Sequence, residues 1–352
     1  MEYRRLGSSG PVVSRVAFGN SLTAGNQLDD RTATACVRAA LDAGITTFDT
    51  ADAYSGGRAE ELLGQALAGV DRDSVVICTK VGRGGGKPGP GALSAARIAE
   101  SLDGSLRRLG TGHIDLYQAH LYDDATPLEE TMRAFADAVA AGKVRHVGVS
   151  EWAADEIGRA AVLARELGVP LVSNQPQYSM LWRVIEAEVV PACERLGIGQ
   201  MVWSPLAGGV LTGKYRPGVR PPAGSRAVAA QGGETSIKRY DFLSDEVLTA
   251  VGRVAALADE AGLPLPQLAL AWVLSHAQVA TAVIGASAPE QIARNTAAVT
   301  RTLDAELLRR IDAALGPVVV QDPALTLSRM LRARAAGPVP TPSPAPLREA
   351  AL

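Results

Sequence analysis

VVICTKVGRGGGKPGPGALSAARIAESLDGSLRRLGTGHIDLYQAH, residues 75 to 120, holds two short apolar runs with one amphipathic stretch between them. VVICTK (75–80) and IDLYQAH (114–120) are rich in β-branched and other apolar residues and have the length of strands. ARIAESLDGSLRRLG (96–110) puts its apolar residues at helical spacing and stops on Gly110. Strand, helix and strand in this order make a βα unit whose strands run parallel. The Gly-rich GRGGG at 82–86 raises a competing reading, the dinucleotide fingerprint of a doubly wound sheet. Lys87 and Pro88 follow it and no helix starts at once, so it reads as a flexible βα loop.

The same unit recurs on both sides. Strand candidates are VAFG (16–19), ITTFDT (45–50), the two runs above, VRHVGVS (144–150), LVSNQ (171–175), IGQMVWS (198–204) and TAVIG (281–285), eight in all. Amphipathic stretches such as RTATACVRAALDAG (31–44), PLEETMRAFADAVAAG (127–142) and VIEAEVVPACERLG (184–197) separate them. No G-x-G-x-x-G follows VAFG, and eight βα units are what a closed (β/α)8 TIM barrel of the α/β class requires. Ahead of the barrel, YRRLGSSGPVVS reads as a small β-hairpin that caps its bottom. After strand seven, the Gly- and Pro-dense stretch 205–236 is far longer than an ordinary βα connection and suggests a binding loop or lid. The expected organisation is one barrel over residues 1–325 and a Pro/Ala-rich, disordered tail over 326–352.

Composition narrows the function. With 35 basic and 37 acidic residues the formal charge is −2, so no chain-wide field recruits nucleic acid or an anionic membrane, and a small, roughly neutral partner is expected. Cys36, Cys78 and Cys193 are odd in number and lack C-x-x-C spacing, which argues against a disulfide framework and a zinc site and fits a reducing, cytoplasmic compartment. MEYRRLGSSG has no apolar core of a secretory signal, and no run of eighteen apolar residues follows.

Chemistry in such a barrel sits at the C-terminal ends of the strands. Strand two ends in Asp49 with Tyr54 in the loop beyond it, strand three ends in Lys80, and strand four ends in His120. Each alone has a structural explanation: a turn cap, a packed phenol, the head of a solvated loop, a core imidazole. An acid, a phenol, an amine and an imidazole on three adjacent strands form a plausible proton-delivery site. A carbonyl that receives a hydride needs a proton, and a phenol with a reference pKa of about 10 supplies it more readily beside a cation.

In FDTADAY, CTK and DLYQAH the chain resembles the aldo-keto reductases, along about residues 1 to 320. The resemblance implies that Asp49, Tyr54, Lys80 and His120 are the catalytic tetrad, Tyr54 being the general acid. Lys80 would be the cation, Asp49 its partner, and neutral His120 the group that polarises the carbonyl. It also implies a nicotinamide dinucleotide, NADPH with NADH as the alternative, bound without a Rossmann fold. Ser150 and Gln175 would then hydrogen-bond the carboxamide and Trp203 would stack on the ring. Ser204, Pro205, Leu206, Ala207 and Gly208 would lie on the pyrophosphate path, with Lys214 and Arg226 clamping phosphates. Gly285, Ser287, Gln291 and Asn295 in IGASAPEQIARN match the segment for the 2′-phosphate and adenine.

The chain is most similar to the branch that contains potassium-channel β subunits, in LTAGNQLDD, DAYSGGRAEELLG, WSPLAGGVLTGKY and LPQLALAWVL. This brings Gly19, Asn20, Ser21 and Gln27 into the cofactor site. Two residues depart from the family pattern: Glu151 stands where many members have Asn, and Arg294 where Glu is more usual beside the adenine. The implied function is reduction of an aldehyde, ketone or keto sugar. A nucleotide-linked deoxysugar reductase and a cofactor-sensing regulatory subunit are the alternatives, and retention of His120 favours an enzyme. Tyr122, Trp152, Tyr178 and Trp182 are candidates for an apolar or sugar-stacking pocket wall. The family is often monomeric and this branch assembles as tetramers, so a monomer and a homo-oligomer both stay open.

Overall fold

The computed structural model describes residues 1–21, 28–83, 91–229 and 240–336. Gln27, residues 84–90 of the Gly-rich loop, residues 230–239 of the long connection and residues 337–352 lie outside the described residues. Strand β1 (Tyr3–Arg5) pairs antiparallel with β2 (Val12–Ser14). Eight parallel strands then close a barrel: β3 (Val16–Gly19), β4 (Thr47–Asp49), β5 (Val76–Val81), β6 (Ile114–Ala119), β7 (Val144–Val149), β8 (Leu171–Asn174), β9 (Gly199–Trp203) and β10 (Val279–Ile284). The order is sequential, and β10 returns to pair with β3. Each falls on or within a residue or two of an apolar run read from the sequence.

Local chemistry sets the surrounding helices. Asp29 Oδ1 accepts from Thr32 N at 2.7 Å and starts helix Asp30–Asp42. Ser94 caps helix Ala95–Leu109, which Gly110 ends at φ 65°. The helix expected within VIEAEVVPACERLG is shorter than its apolar pattern, running only Val189–Leu196. Pro191 explains the late start: its ring tolerates the first helical turn but would clash with a helical carbonyl four residues earlier.

Two apolar layers hold the barrel. Inside it lie Ala17, Cys78, Leu116, Val172, Met201 and Ala280, closed below by Leu6 and Val13 of the hairpin. The hairpin meets the N-terminal ends of the strands, where Arg4 donates to the carbonyl of Val279 at 3.2 Å and Ser8 N to that of Gly197 at 2.8 Å. Outside, alternate strand residues face the helices, as where Tyr117 of β6 packs edge-on to Phe135 at 5.8 Å.

The C-terminal boundary differs from expectation. Residues placed by composition in the tail include the helix Leu327–Ala336, with Ser328 and Met330 buried. Arg329 pairs with Asp155 and Glu188, and Arg332 with Asp124 and Glu156. The arginines that make this stretch look solvated are the groups that dock it. No helix among the described residues is long and apolar enough to cross a membrane.

Candidate active site

Side chains at the C-terminal ends of the strands converge because strand residues alternate in direction. In β5, Cys78 and Lys80 point into the barrel and Thr79 points out. Lys80 is wholly buried, and its ammonium donates to Asp49 Oδ1 at 2.8 Å, Asp49 Oδ2 at 2.7 Å and the Thr50 carbonyl at 2.8 Å. Tyr54 Oη lies 3.1 Å from the same ammonium. Burial alone would lower the pKa of Lys80, but the Asp49 carboxylate and the Tyr54 phenol outweigh it and leave the amine above its ordinary value.

Tyr54 opens a tight turn, Tyr54–Gly57, in which Ser55, Gly56 and Gly57 all have left-handed φ. The sharp reversal presents the phenol to the barrel axis before helix Arg58–Leu67 begins. Gly57 leaves no room for a side chain, since a Cβ there would meet Arg108 Cδ at 2.8 Å. His120 follows β6 and lies edge-on to the Tyr54 ring at 5.7 Å. Burial, then the charges of Lys80 and Arg83, push its pKa well below the usual imidazole value, so it is neutral near pH 7. A buried cation, a phenol within its reach and a neutral imidazole beside the phenol can deliver a proton and polarise an oxygen.

The next three strands extend this arrangement. Gln175 Nε2 donates to Asp49 Oδ1 at 2.8 Å, and Ser150 Oγ donates to the Gln175 carbonyl at 2.8 Å. The amide nitrogen expected to meet a cofactor is therefore engaged by Asp49. Trp203, the last residue of β9, is half-buried and donates through Nε1 to Glu151 Oε1 at 2.8 Å. The turn after it is tight: Ser204, Ala207, Gly208 and Gly209 all have left-handed φ, and Pro205 and Leu206 lie between them. Lys214 lies on this turn, for a Cβ on Gly209 would meet its Nζ at 2.9 Å. Arg226 is desolvated, which lowers its pKa, and no carboxylate among the described residues pairs with it. A half-buried, desolvated guanidinium without a carboxylate suits an anionic ligand.

Gly19 ends β3, and a Cβ there would meet Val283 Cγ1 at 2.5 Å. Asn20 is buried and donates to the Ala59 carbonyl at 2.8 Å, and Ser21 follows in a turn. Gly285 follows β10 and is exposed. Gln291 Oε1 accepts from Ser287 N at 2.9 Å, so these two close the entry to helix Pro289–Thr296. Arg294 and Asn295 lie on that helix, with the Arg294 side chain exposed and its carbonyl held by Gln267 Nε2 at 3.0 Å. Lys214 thus lies against the turn that follows Trp203, and the Ser287 to Asn295 segment follows the C-terminal end of β10.

Two supports were not visible in the sequence. Glu60 is fully buried, accepting from Thr79 Oγ1 at 2.5 Å and Arg108 Nε at 2.7 Å, which fixes the strand residue next to Lys80. Asp52 N donates to the Lys80 carbonyl at 3.2 Å, and burial pushes the Asp52 carboxyl above its usual range. Tyr122, two residues past His120, lies edge-on to Trp152 at 4.8 Å, with Arg159 at 5.8 Å and Arg332 at 5.4 Å from its ring centre. Of the aromatic wall candidates, Tyr178 is committed elsewhere: it packs on Trp272 and donates to Glu186 at 2.6 Å.

A sequence model of the Aldo/keto reductase family matches residues 15–315. The chain is 40% identical over 322 residues to a rice (Oryza sativa subsp. japonica) protein named "Probable voltage-gated potassium channel subunit beta", a match that covers 90% of this chain and 97% of that one. An Arabidopsis thaliana protein of the same name is 40% identical over 304 residues, covering 85% of this chain and 91% of that one.

Proposed function

The chain belongs to the aldo/keto reductase family, and from that premise we propose that it is an NADP-dependent reductase that converts an aldehyde, ketone or keto sugar to an alcohol. The observation that carries the reading is the Lys80 ammonium, buried and shared between the Asp49 carboxylate and Tyr54 Oη at 3.1 Å. A nicotinamide cofactor would supply the hydride. Trp203, Ser150 and Gln175 would hold its reactive ring, and Lys214 and Arg226 its phosphates. The desolvated Arg226 and the ammonium over the glycine turn fit such an anion.

Tyr54 gives its phenolic proton to the oxygen that becomes the alcohol. Lys80 stabilises the phenolate left behind, and Asp49 fixes the ammonium in place. His120, kept neutral by burial, donates a hydrogen bond to the substrate oxygen without bringing a second cation against Lys80. The buried cysteines Cys36, Cys78 and Cys193 carry no disulfide and suit a reducing, cytoplasmic setting.

Tryptophan fluorescence titrated with NADPH and, separately, NADH, followed by stopped-flow oxidation of the bound reduced cofactor on a panel of aldehydes, ketones and a nucleotide-linked keto sugar, tests this. Quenching with turnover supports the enzyme. Binding without turnover on any carbonyl favours a second reading, suggested by the names of the relatives, in which the chain is a cofactor-binding regulatory subunit. Absence of binding to either form sinks both.

A further inference from the structure

Thr79 stands beside Lys80 on β5 and turns its side chain out of the barrel, toward the helices Arg58–Leu67 and Ala95–Leu109. There its hydroxyl donates to Glu60 Oε1 at 2.5 Å, and Glu60 Oε2 accepts from Arg108 through Nε at 2.7 Å and Nη2 at 2.6 Å. Glu60 is wholly buried, and charge-assisted bonds of this kind are what make a carboxylate tolerable there. The Arg108 side chain is closed in by two glycines. A Cβ on Gly57 would meet its Cδ and Nε at 2.8 Å, and one on Gly104 would meet its Nη1 at 2.9 Å. Gly57 is the last residue of the turn that Tyr54 opens. Ser55 in that turn is left-handed without being glycine, a conformation that persists only where the surroundings impose it. The front of the same loop is clipped to β5 by Asp52 N, which donates to the Lys80 carbonyl at 3.2 Å.

We propose that Glu60 and Arg108 are positioning residues: with Thr79 they tie the turn that carries Tyr54 to the strand that carries Lys80, and so set the 3.1 Å separation of Tyr54 Oη from the Lys80 ammonium. The inference rests on the reading of Tyr54 as the acid of the site. The contacts close a ring that runs from Tyr54 through Gly57, Arg108, Glu60, Thr79 and Lys80 and back to Tyr54. A phenol gives up its proton more readily the closer the cation that stabilises its anion, and that attraction falls with distance. At an effective dielectric constant of about 20, widening the gap to about 4.5 Å removes roughly a third of the attraction, enough to move an ionisation by about one pH unit. Slack in this ring therefore weakens the acid from outside the barrel. An ion pair that only held two helices together would change stability and leave the acid alone.

Thr79→Val removes the hydroxyl and keeps the shape. It should lower kcat about ten- to hundredfold with KM and the Kd for NADPH little changed, and the alkaline limb of the kcat profile should lie about one pH unit higher. Thr79→Ser keeps the donor and should restore both. An unaltered kcat and profile in Thr79→Val overturns the inference, and so does a Thr79→Ser variant as impaired as Thr79→Val. If Thr79→Val does not fold, Arg108→Lys, which keeps the charge and loses the fork that grips Glu60, should show the same two changes, and a loss of stability with an unmoved profile overturns the inference. Where both variants fold, the double variant should lose no more kcat than the worse single one, since both cut the same ring; losses that multiply count against a single device. The cofactor-free protein gives an independent reading. The tyrosinate absorbance that Tyr54→Phe abolishes should appear about one pH unit higher in Thr79→Val, and an unmoved midpoint overturns the positioning role. If the unmodified protein turns over no carbonyl, the reading of Tyr54 as the acid fails, and the absorbance midpoints still decide whether Glu60 and Arg108 set its distance from Lys80.

Discussion

The Lys80 ammonium and the Asp49 carboxylate form a bidentate contact, 2.8 and 2.7 Å, with both side chains almost wholly out of water. A pair of this kind stabilises little relative to an apolar replacement, but breaking it strands a charge. Lys80→Met should therefore destabilise the fold by about 3–5 kcal/mol in urea denaturation. Lys80→Met with Asp49→Leu should recover much of that loss while remaining inactive. Equal instability of the single and double variants would mean that the pair is not what the fold depends on.

Tyr54 is partly exposed and touches Lys80 only through its hydroxyl and ring face, so its removal leaves the pair intact. Tyr54→Phe should bind cofactor with an unaltered Kd and lose about 10²- to 10⁴-fold in turnover, the range of a general acid. Turnover within a few-fold of the unmodified protein would remove Tyr54 from the acid role.

Burial holds His113, His120 and His146 below the ordinary imidazole pKa. The unfolded chain, with imidazoles near 6.5, binds more protons than the folded chain between that value and the depressed folded ones. The stabilising contribution of the neutral histidines is complete above about pH 6.5 and is lost as pH falls through that window. Tm should be level from pH 7 to 8 and fall by pH 5.5, and His113→Gln should flatten the fall. A Tm independent of pH across this range would show that the histidines charge freely in the folded state.

Arg226 has lost water without gaining a carboxylate among the described residues. A charge-assisted bond to a phosphate accounts for about 1.5–3 kcal/mol, so Arg226→Ala should weaken NADPH about tenfold to hundredfold. If the guanidinium meets the 2′-phosphate, NADH is weakened much less. Equal losses for the two cofactors would place Arg226 elsewhere on the ligand.

The fold was legible because short apolar runs alternate with amphipathic stretches, and three of those runs end on or beside Asp49, Lys80 and His120, which the buried strands bring to one mouth. VAFG became β3 residue for residue. What escaped is carried by contacts between distant residues. Gln175 reaches Asp49 across 126 positions and Trp203 reaches Glu151 across 52, and neither pairing leaves a periodic trace. Helix Leu327–Ala336 was hidden because LSRMLRARAA carries three arginines in ten residues and a Pro-rich stretch follows it. Its binding comes from the charges of Asp124, Asp155, Glu156 and Glu188, which lie far earlier in the chain, Asp155 and Glu156 in the first turn of helix Ala154–Glu166.

That helix also sets an order of events. The barrel cannot close until β10 meets β3, and the loops after β6, β7 and β8 are fastened only when the segment beyond β10 folds back over them. During synthesis from the N-terminus, a closed barrel with unfastened loops comes before the finished protein. The apolar interior can form first and the working face last, so a released chain cut off between residues 290 and 325 would hold all ten strands but lack the helix that fastens the face above them.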